Sequence, residues 1–497
     1  MRRLFSHMLI AGIAAILLAG CTVRTNLRSP EIAAPGSYTA VPLPSHTASA
    51  PTGCGEAQCF NFVETLPTQW WTLFRSPELN ELIKQGLAGN PSLSSAQAAL
   101  REAEENLRAG SGALLYPSVT GDLQASRQRS SGAAFGSSNF TFNLYNASVS
   151  VSYTLDLFGG SRRQLEALAA LVDYQRYQFE AAYLSLTANI VTASVTEASL
   201  REQIRATRDI LSAEQKQLEM VKRQFELGAV PKTSVLSQET ELAKTRATLP
   251  PLEKQLAYTR HALSVLVGRL PSEGNLPEFS LSSMSLPVVL PVTLPSTLAR
   301  QRPDIRASEA LLRQAAARVG VATANLYPHI TLNGGYGLEA TNTGHLFRGS
   351  SVIWNIGAGL LQPIFNAGEL SAKRRAAIAA YDQAAAQYRG TVLNAFQNVA
   401  DVLRALETDA RLLRAQAEAE AAARATLDLT QKQFELGAVK YLSLLVAQRD
   451  FQAARISLIQ AQAQRFSDTA ALFQALGGGW WNRTATSAGA APEQKAD

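Results

Sequence analysis

The chain repeats itself, so its fold has to be built twice on nearly the same plan. Gln224-Phe225-Glu226-Leu227-Gly228-Ala229-Val230 returns as Gln433-Phe434-Glu435-Leu436-Gly437-Ala438-Val439, 209 residues later. Tyr116-Pro117 returns as Tyr327-Pro328 at an offset of 211, and Asp156-Leu157-Phe158 aligns with Pro363-Ile364-Phe365 at 207. Asn90-Pro91-Ser92-Leu93 aligns with Arg302-Pro303-Asp304-Ile305. Four landmarks in one order, at nearly constant spacing, place repeats at 65–271 and 294–476 with a Pro- and Ser-rich linker at 272–293.

Each half follows one pattern: a short helix, two strands, a very long helix, a tight turn and a second long helix. The strands are expected near 117–128, 142–158, 328–340 and 352–365. They alternate as half-buried ribbons do. Ala147, Val149, Val151, Tyr153 and Leu155 share one face, and Ser148, Ser150, Ser152, Thr154 and Asp156 the other. Val352, Trp354, Ile356, Ala358 and Leu360 repeat the apolar face. Such strands suit an outer-membrane barrel, where about 10 residues cross the lipid; an ordinary periplasmic sandwich is the alternative. Four strands cannot close a barrel, and lipid does not tolerate an open edge. Two chains would give a barrel nearly filled by its own side chains, whereas three give twelve strands and a wet lumen.

The long helices are expected near 161–227, 235–267, 369–436 and 443–475. Neither 161–227 nor 369–436 contains proline. At 1.5 Å per residue each could reach roughly 100 Å, far beyond ordinary globular helices, so coiled packing is implied. Val235, Leu242, Leu249, Leu256 and Leu263 recur every seven residues, as do Leu444, Phe451 and Leu458. A solid helical bundle is the alternative to a hollow one. One local conflict stands: Pro250-Pro251 is expected to kink or break its helix.

The N-terminus reads as an export signal. Arg2 and Arg3 precede an apolar run from Met8 to Leu18, too short to span a bilayer. Leu18-Ala19-Gly20-Cys21 has the small residues of a lipoprotein cleavage site, which makes residues 1–20 a signal peptide and Cys21 the lipid-attachment site. Residues 21–64 read as an extended leader without a core pattern, and 477–497 as a tail. No later apolar run is long enough for a membrane helix, so any crossing falls to strands. Cys54 and Cys59, in an exported chain, are expected to form a disulfide. No metal ligand set surrounds them in sequence. The net charge of +6 is spread over 497 residues without a basic, aromatic-laced cluster, which excludes a nucleic-acid reading. No nucleophile elbow, P-loop, HExxH or dinucleotide glycine motif occurs, so neither an enzyme nor a cofactor is expected.

Trp70-Trp71-x-x-Phe74, Asn90-Pro91-x-Leu93, Arg302-Pro303-Asp304-Ile305-Arg306, both Phe-Glu-Leu-Gly-Ala-Val turns and Gly478-Gly479-Trp480 together resemble the TolC-type outer-membrane efflux proteins, NodT subgroup. The resemblance covers about residues 65–481. It implies an α+β membrane protein: a homotrimer with a twelve-stranded barrel in outer-membrane lipid, four strands per chain, continued by a long α-helical periplasmic barrel. The implied function is the exit duct of a tripartite efflux system for drugs or other small toxic compounds. The implied partners are a periplasmic adaptor and an inner-membrane pump, often of the resistance–nodulation–division type. A duct for secreted polypeptides, or a pore-less periplasmic spacer, are the alternatives. The turns Gly228-Ala229-Val230 and Gly437-Ala438-Val439 become adaptor-contact tips. Leu442 matches an apolar constriction of the periplasmic gate, while Ser443 and Val446 stand where the family often carries aspartates. A gate of Leu442 and Val446, one helical turn apart, would close by excluding water rather than by binding cations.

Overall fold

The computed structural model describes residues 36–61, 66–131, 139–292 and 295–483. The expected signal peptide, Cys21 and the end of the tail lie outside the described residues. The elements are β1 (Cys59–Asn61), α1 (Pro77–Gly89), α2 (Pro91–Leu115), β2 (Ser118–Ser130) and β3 (Phe140–Leu155). Then follow α3 (Gly160–Glu226), α4 (Lys232–Leu266), β4 (Val289–Pro291), α5 (Pro295–Gln301) and α6 (Pro303–Ala324). The chain closes with β5 (His329–Ala340), β6 (Val352–Leu361), α7 (Glu369–Glu435) and α8 (Tyr441–Ala475). The duplication survives to the residue: α3 and α7 each have 67 residues, and α4 and α8 each have 35. No described helix is long and apolar enough to cross a membrane.

The chain divides into two compact units. The first contains Ala99–Arg176 and Ala307–Arg389. It is built around one antiparallel sheet in the order β2-β3-β5-β6. Val149 faces Gly121 on one side and Tyr336 on the other, and Tyr336 faces Trp354. Beside the sheet, Asp156 caps α3: its carboxylate accepts from the backbone N–H groups of Ser161 and Arg162, both at 3.0 Å. Those donors have no partner inside the helix, and the anion also meets the positive end of its dipole. Leu312, Val319 and Tyr381 form a local core between α6 and α7.

The second unit contains Ile32–Ala98, Tyr177–Arg306 and the chain from Gly390 on. Trp70, Phe74, Phe466 and Phe473 pack edge to face or tilted at its centre, with Trp70 and Phe473 centroids 5.5 Å apart. Each such buried ring contributes about 2–3 kcal/mol of burial. The two aligned proline motifs do one job in two chemistries. Asn90 Nδ2 donates to the carbonyl of Leu266, the last residue of α4, at 2.9 Å. Arg302 Nη1 donates to the carbonyl of Ala475, the last residue of α8, at 3.1 Å. Each satisfies a carbonyl that the helix end leaves orphaned.

Three expectations need correction. The leader, expected to lack a core pattern, contributes to the core. Residues 45–61 form a hairpin whose β1 pairs in parallel with β4, placing Phe60 against Leu290 in the core. Polar side chains hold it there: buried Gln58 donates to the Pro287 carbonyl and to Thr469, and buried Arg465 donates to Cys54 O, Glu56 O and Gln58 Oε1. The expected disulfide is not formed: Cys54 and Cys59 are both free. Cys54 sits in the hairpin turn at φ 60°, and Cys59 lies five residues down the returning arm. An arm of that length covers on the order of 15 Å, beyond the ~7 Å between Cα atoms that a bridge allows. Finally, of the kink or break expected at Pro250 and Pro251, the break does not occur: α4 continues through both. Both prolines are exposed, so the carbonyls of Arg246 and Ala247, deprived of their usual donors, are left to water.

Candidate functional site

In the first unit the sheet has two unlike faces. Val119, Leu123, Val149, Val151, Leu332, Tyr336, Trp354, Ile356 and Leu360 lie on one face, and all are exposed. The cross-strand pairs Val119–Val151, Val149–Tyr336 and Tyr336–Trp354 carry that apolar surface across all four strands. The opposite face is mainly hydroxyl and amide along residues 118–124 and 146–152, and it also carries Phe140, Phe142, Leu144 and Ile353. Ser152 Oγ donates to Asn333 Oδ1 at 3.0 Å, and Ser150 Oγ to Thr120 Oγ1 at 3.5 Å. A soluble sheet buries its apolar face and wets its polar one; this sheet exposes both. Its outer strands β2 and β6 pair with no further strand among the described residues.

In the second unit the two helix turns are built alike. Gly228 and Gly437 take φ of 76° and 74°, a left-handed backbone that side chains resist. Ala229 N–H reaches Gln224 O and Ala438 N–H reaches Gln433 O, both at 2.8 Å, which closes the helix ends in the Schellman pattern. No neighbour crowds either glycine, so backbone conformation alone selects it. The residues after the glycine split in role. Ala229 and Ala438 are exposed, while Val230 and Val439 pack against a small core of Leu218, Val221, Val235, Leu242, Phe434, Tyr441, Leu444 and Leu445.

That core decides which way the first turn of α8 faces. Tyr441, Leu444 and Leu445 point inward, whereas Leu442 is 68% exposed, Val446 46%, and Ser443 is exposed as well. Leu442 and Val446 therefore share a face that the chain's own helices do not cover. Ala229, Val230, Gly437, Val439 and Leu442 line one cleft of about 850 Å³; Gly228, Ala438, Ser443 and Val446 lie outside its lining.

Two features here escape sequence reasoning. Leu227 and Leu436, just before the glycines, are 76% and 84% exposed; their repetition in the turn motif was the available signal. Beneath the turns runs a buried polar chain. Tyr441 OH donates to Gln238 Oε1, Gln238 Nε2 donates to Glu214 O at 3.1 Å, and Thr245 Oγ1 donates to Glu214 Oε1 at 3.0 Å. Burial raises the pKa values of both Glu214 and Tyr441. Among the described residues no group of His, Cys, Asp and Glu could hold a metal ion.

A family described as outer membrane efflux protein matches residues 82–269 and 294–478. The pyoverdine export outer membrane protein OpmQ of Pseudomonas aeruginosa is 33% identical over 423 residues, 83% of this chain and 87% of that protein. The toluene efflux pump outer membrane protein TtgC of Pseudomonas putida is 29% identical, covering 96% of both chains. Among solved structures, the outer-membrane channel OprN superposes with a TM-score of 0.83 at 27% identity, over 93% of this chain and all of that one.

Proposed function

The chain belongs to the outer membrane efflux protein family, and from that premise we propose that three copies assemble into one passive duct with a twelve-stranded barrel. It is an outer-membrane channel of an efflux system and an exit route for exported compounds. One observation carries the trimer. An open four-stranded sheet with an exposed apolar face and an exposed polar face is unstable alone in water and in lipid. Repeating it three times closes the edges, turns the apolar face to lipid and leaves a hydroxyl-lined lumen. The polar face also argues against a pore-less spacer, which needs no such lining. The duct catalyses nothing and takes its cargo from an inner-membrane pump through a periplasmic adaptor. The exposed tips at Gly228, Ala229, Val230, Gly437, Ala438 and Val439 receive the adaptor, and Cys21 carries the lipid anchor.

The gate is the exposed face of α8. Leu442 and Val446 from three copies ring the axis and close it by excluding water, with Ser443 supplying no charge. The adaptor opens it by separating packed helices. Planar-bilayer recording of the purified protein, with native mass measured on the same samples, tests this. Wild type is expected to conduct poorly, and Leu442→Ser with Val446→Ser to conduct more at equal trimer yield. Unchanged conductance with loosened trimers would reassign both residues to packing between copies. A protein that stays monomeric and never conducts would overturn the channel reading itself.

A further inference from the structure

The duplication predicts a contact that a single chain cannot make. Where the first half hands over to the second, Phe158 stacks on Tyr327, with ring centroids 4.8 Å apart and planes 12° from parallel. Both belong to aligned landmarks. Phe158 corresponds to Phe365, 207 residues on, and Tyr327 corresponds to Tyr116, 211 residues back. Within the chain those two counterparts have lost each other: Phe365 is 88% exposed and Tyr116 66%, against 40% for Tyr327. Their neighbours behave alike. Ile364 is 96% exposed and Leu115 45%, whereas their counterparts Leu157 and Leu326 are half-buried.

We infer that Phe365 of one copy stacks on Tyr116 of the next, reproducing between chains the Phe158–Tyr327 stack within each. The occupant of this surface is a second copy of this chain, because only that copy carries the half-repeat whose landmark is missing. The same transposition sets the strand register. Val149 of β3 faces Tyr336 of β5. Moving each to its counterpart puts Ile356 of β6 opposite Ala125 of the next copy's β2, and Ala358 opposite Leu123. A register wrong by one residue would set apolar faces against polar ones. The transposed register passes that check, since Ile356, Ala358, Leu123 and Ala125 all lie on the apolar faces of their own strands.

The inference rests on the trimeric reading, and crosslinking separates the two. In a background with Cys54→Ser and Cys59→Ser, the pair Tyr116→Cys with Phe365→Cys is treated with a short bis-maleimide. The expected product on a denaturing gel is a ladder ending at three covalently joined chains. The pair Phe158→Cys with Tyr327→Cys should crosslink within one chain and leave its mass on the gel unchanged. Ile356→Cys with Ala125→Cys should oxidise to a disulfide, because directly opposed Cβ atoms lie about 5 Å apart. Ile356→Cys with Gly121→Cys, four residues off register, should not. Native mass measured on the same samples assigns any failure. Trimers without the ladder, or with the disulfide at Gly121 instead of Ala125, would overturn the stack and the register alone. Absence of trimers would overturn the assembly as well.

Discussion

Replacing Arg465 with methionine isolates what one buried cation does for the N-terminal hairpin. Arg465 is 1% exposed, and its guanidinium donates to Cys54 O at 2.9 Å, Glu56 O at 3.1 Å, Gln58 Oε1 at 2.9 Å and Thr47 Oγ1 at 3.4 Å. Methionine keeps most of the apolar stem and removes every donor. Gln58 Oε1 then lies buried without a donor, at about 1–3 kcal/mol, and two part-buried carbonyls lose theirs at a smaller cost each. Relief from burying the guanidinium offsets part of that, and burial already lowers its pKa. A net loss of about 3 kcal/mol, confined to the hairpin, corresponds to about two decades in its opening equilibrium. Hydrogen exchange followed by mass spectrometry reads this directly. The amides of Thr47, Cys59, Phe60 and Val292 donate to Gln58 O, Val288 O, Ser45 O and Asn61 O and should all exchange about 100-fold faster. Exchange around Tyr381 in α7, which packs against α6, should hold. Acceleration of less than about threefold at the hairpin would refute the reasoning, since that is within denatured-state effects. Equal acceleration in α7 would refute the confinement.

Three further outcomes are expected. Asp468, buried beside Asp409, has its carboxyl pushed up to about 7 by burial first and by that second carboxyl next. Its folded pKa exceeds its ordinary 3.8, so stability should fall as pH rises from about 4 to 7; Asp468→Asn should flatten that fall in thermal melts, and an unaltered slope would dismiss the pair. Cys21→Ser should abolish palmitate labelling while trimers persist, and label retained in the variant would remove the anchor from this site. Ala229→Trp with Ala438→Trp should leave trimers intact and stop export, whereas normal adaptor crosslinking in that variant would end the docking assignment.

What was legible in sequence is what obeys a period. Alternation along Val149–Leu155 and Val352–Leu360 marks strands because successive side chains change face, and the two apolar stripes do line up in the sheet. The repeated Gly-Ala-Val marks a turn because positive φ favours glycine. What stayed hidden obeys no period. Gln58 and Thr47 are polar residues in a Pro- and Ser-rich leader, and their burial depends on Arg465 and Thr469, some 400 residues away. Nothing in the spacing of Glu214, Gln238 and Tyr441 along their long helices marks them as partners, and only the structure turns them toward one another. The exposed directions of Leu442 and Val446 also needed the neighbouring core, since heptad spacing alone does not say which seam a residue joins.

The proline pair in α4 makes the two hairpins mechanically unequal. Duplication made α3–α4 and α7–α8 alike in length, but Pro250 and Pro251 remove two backbone donors midway along α4, and α8 contains no proline. A rod missing consecutive hydrogen bonds bends more easily there than an intact one. In the ring proposed above, the proline-bearing hairpin of each copy would sit beside a proline-free one, so bending under load would fall on every second hairpin.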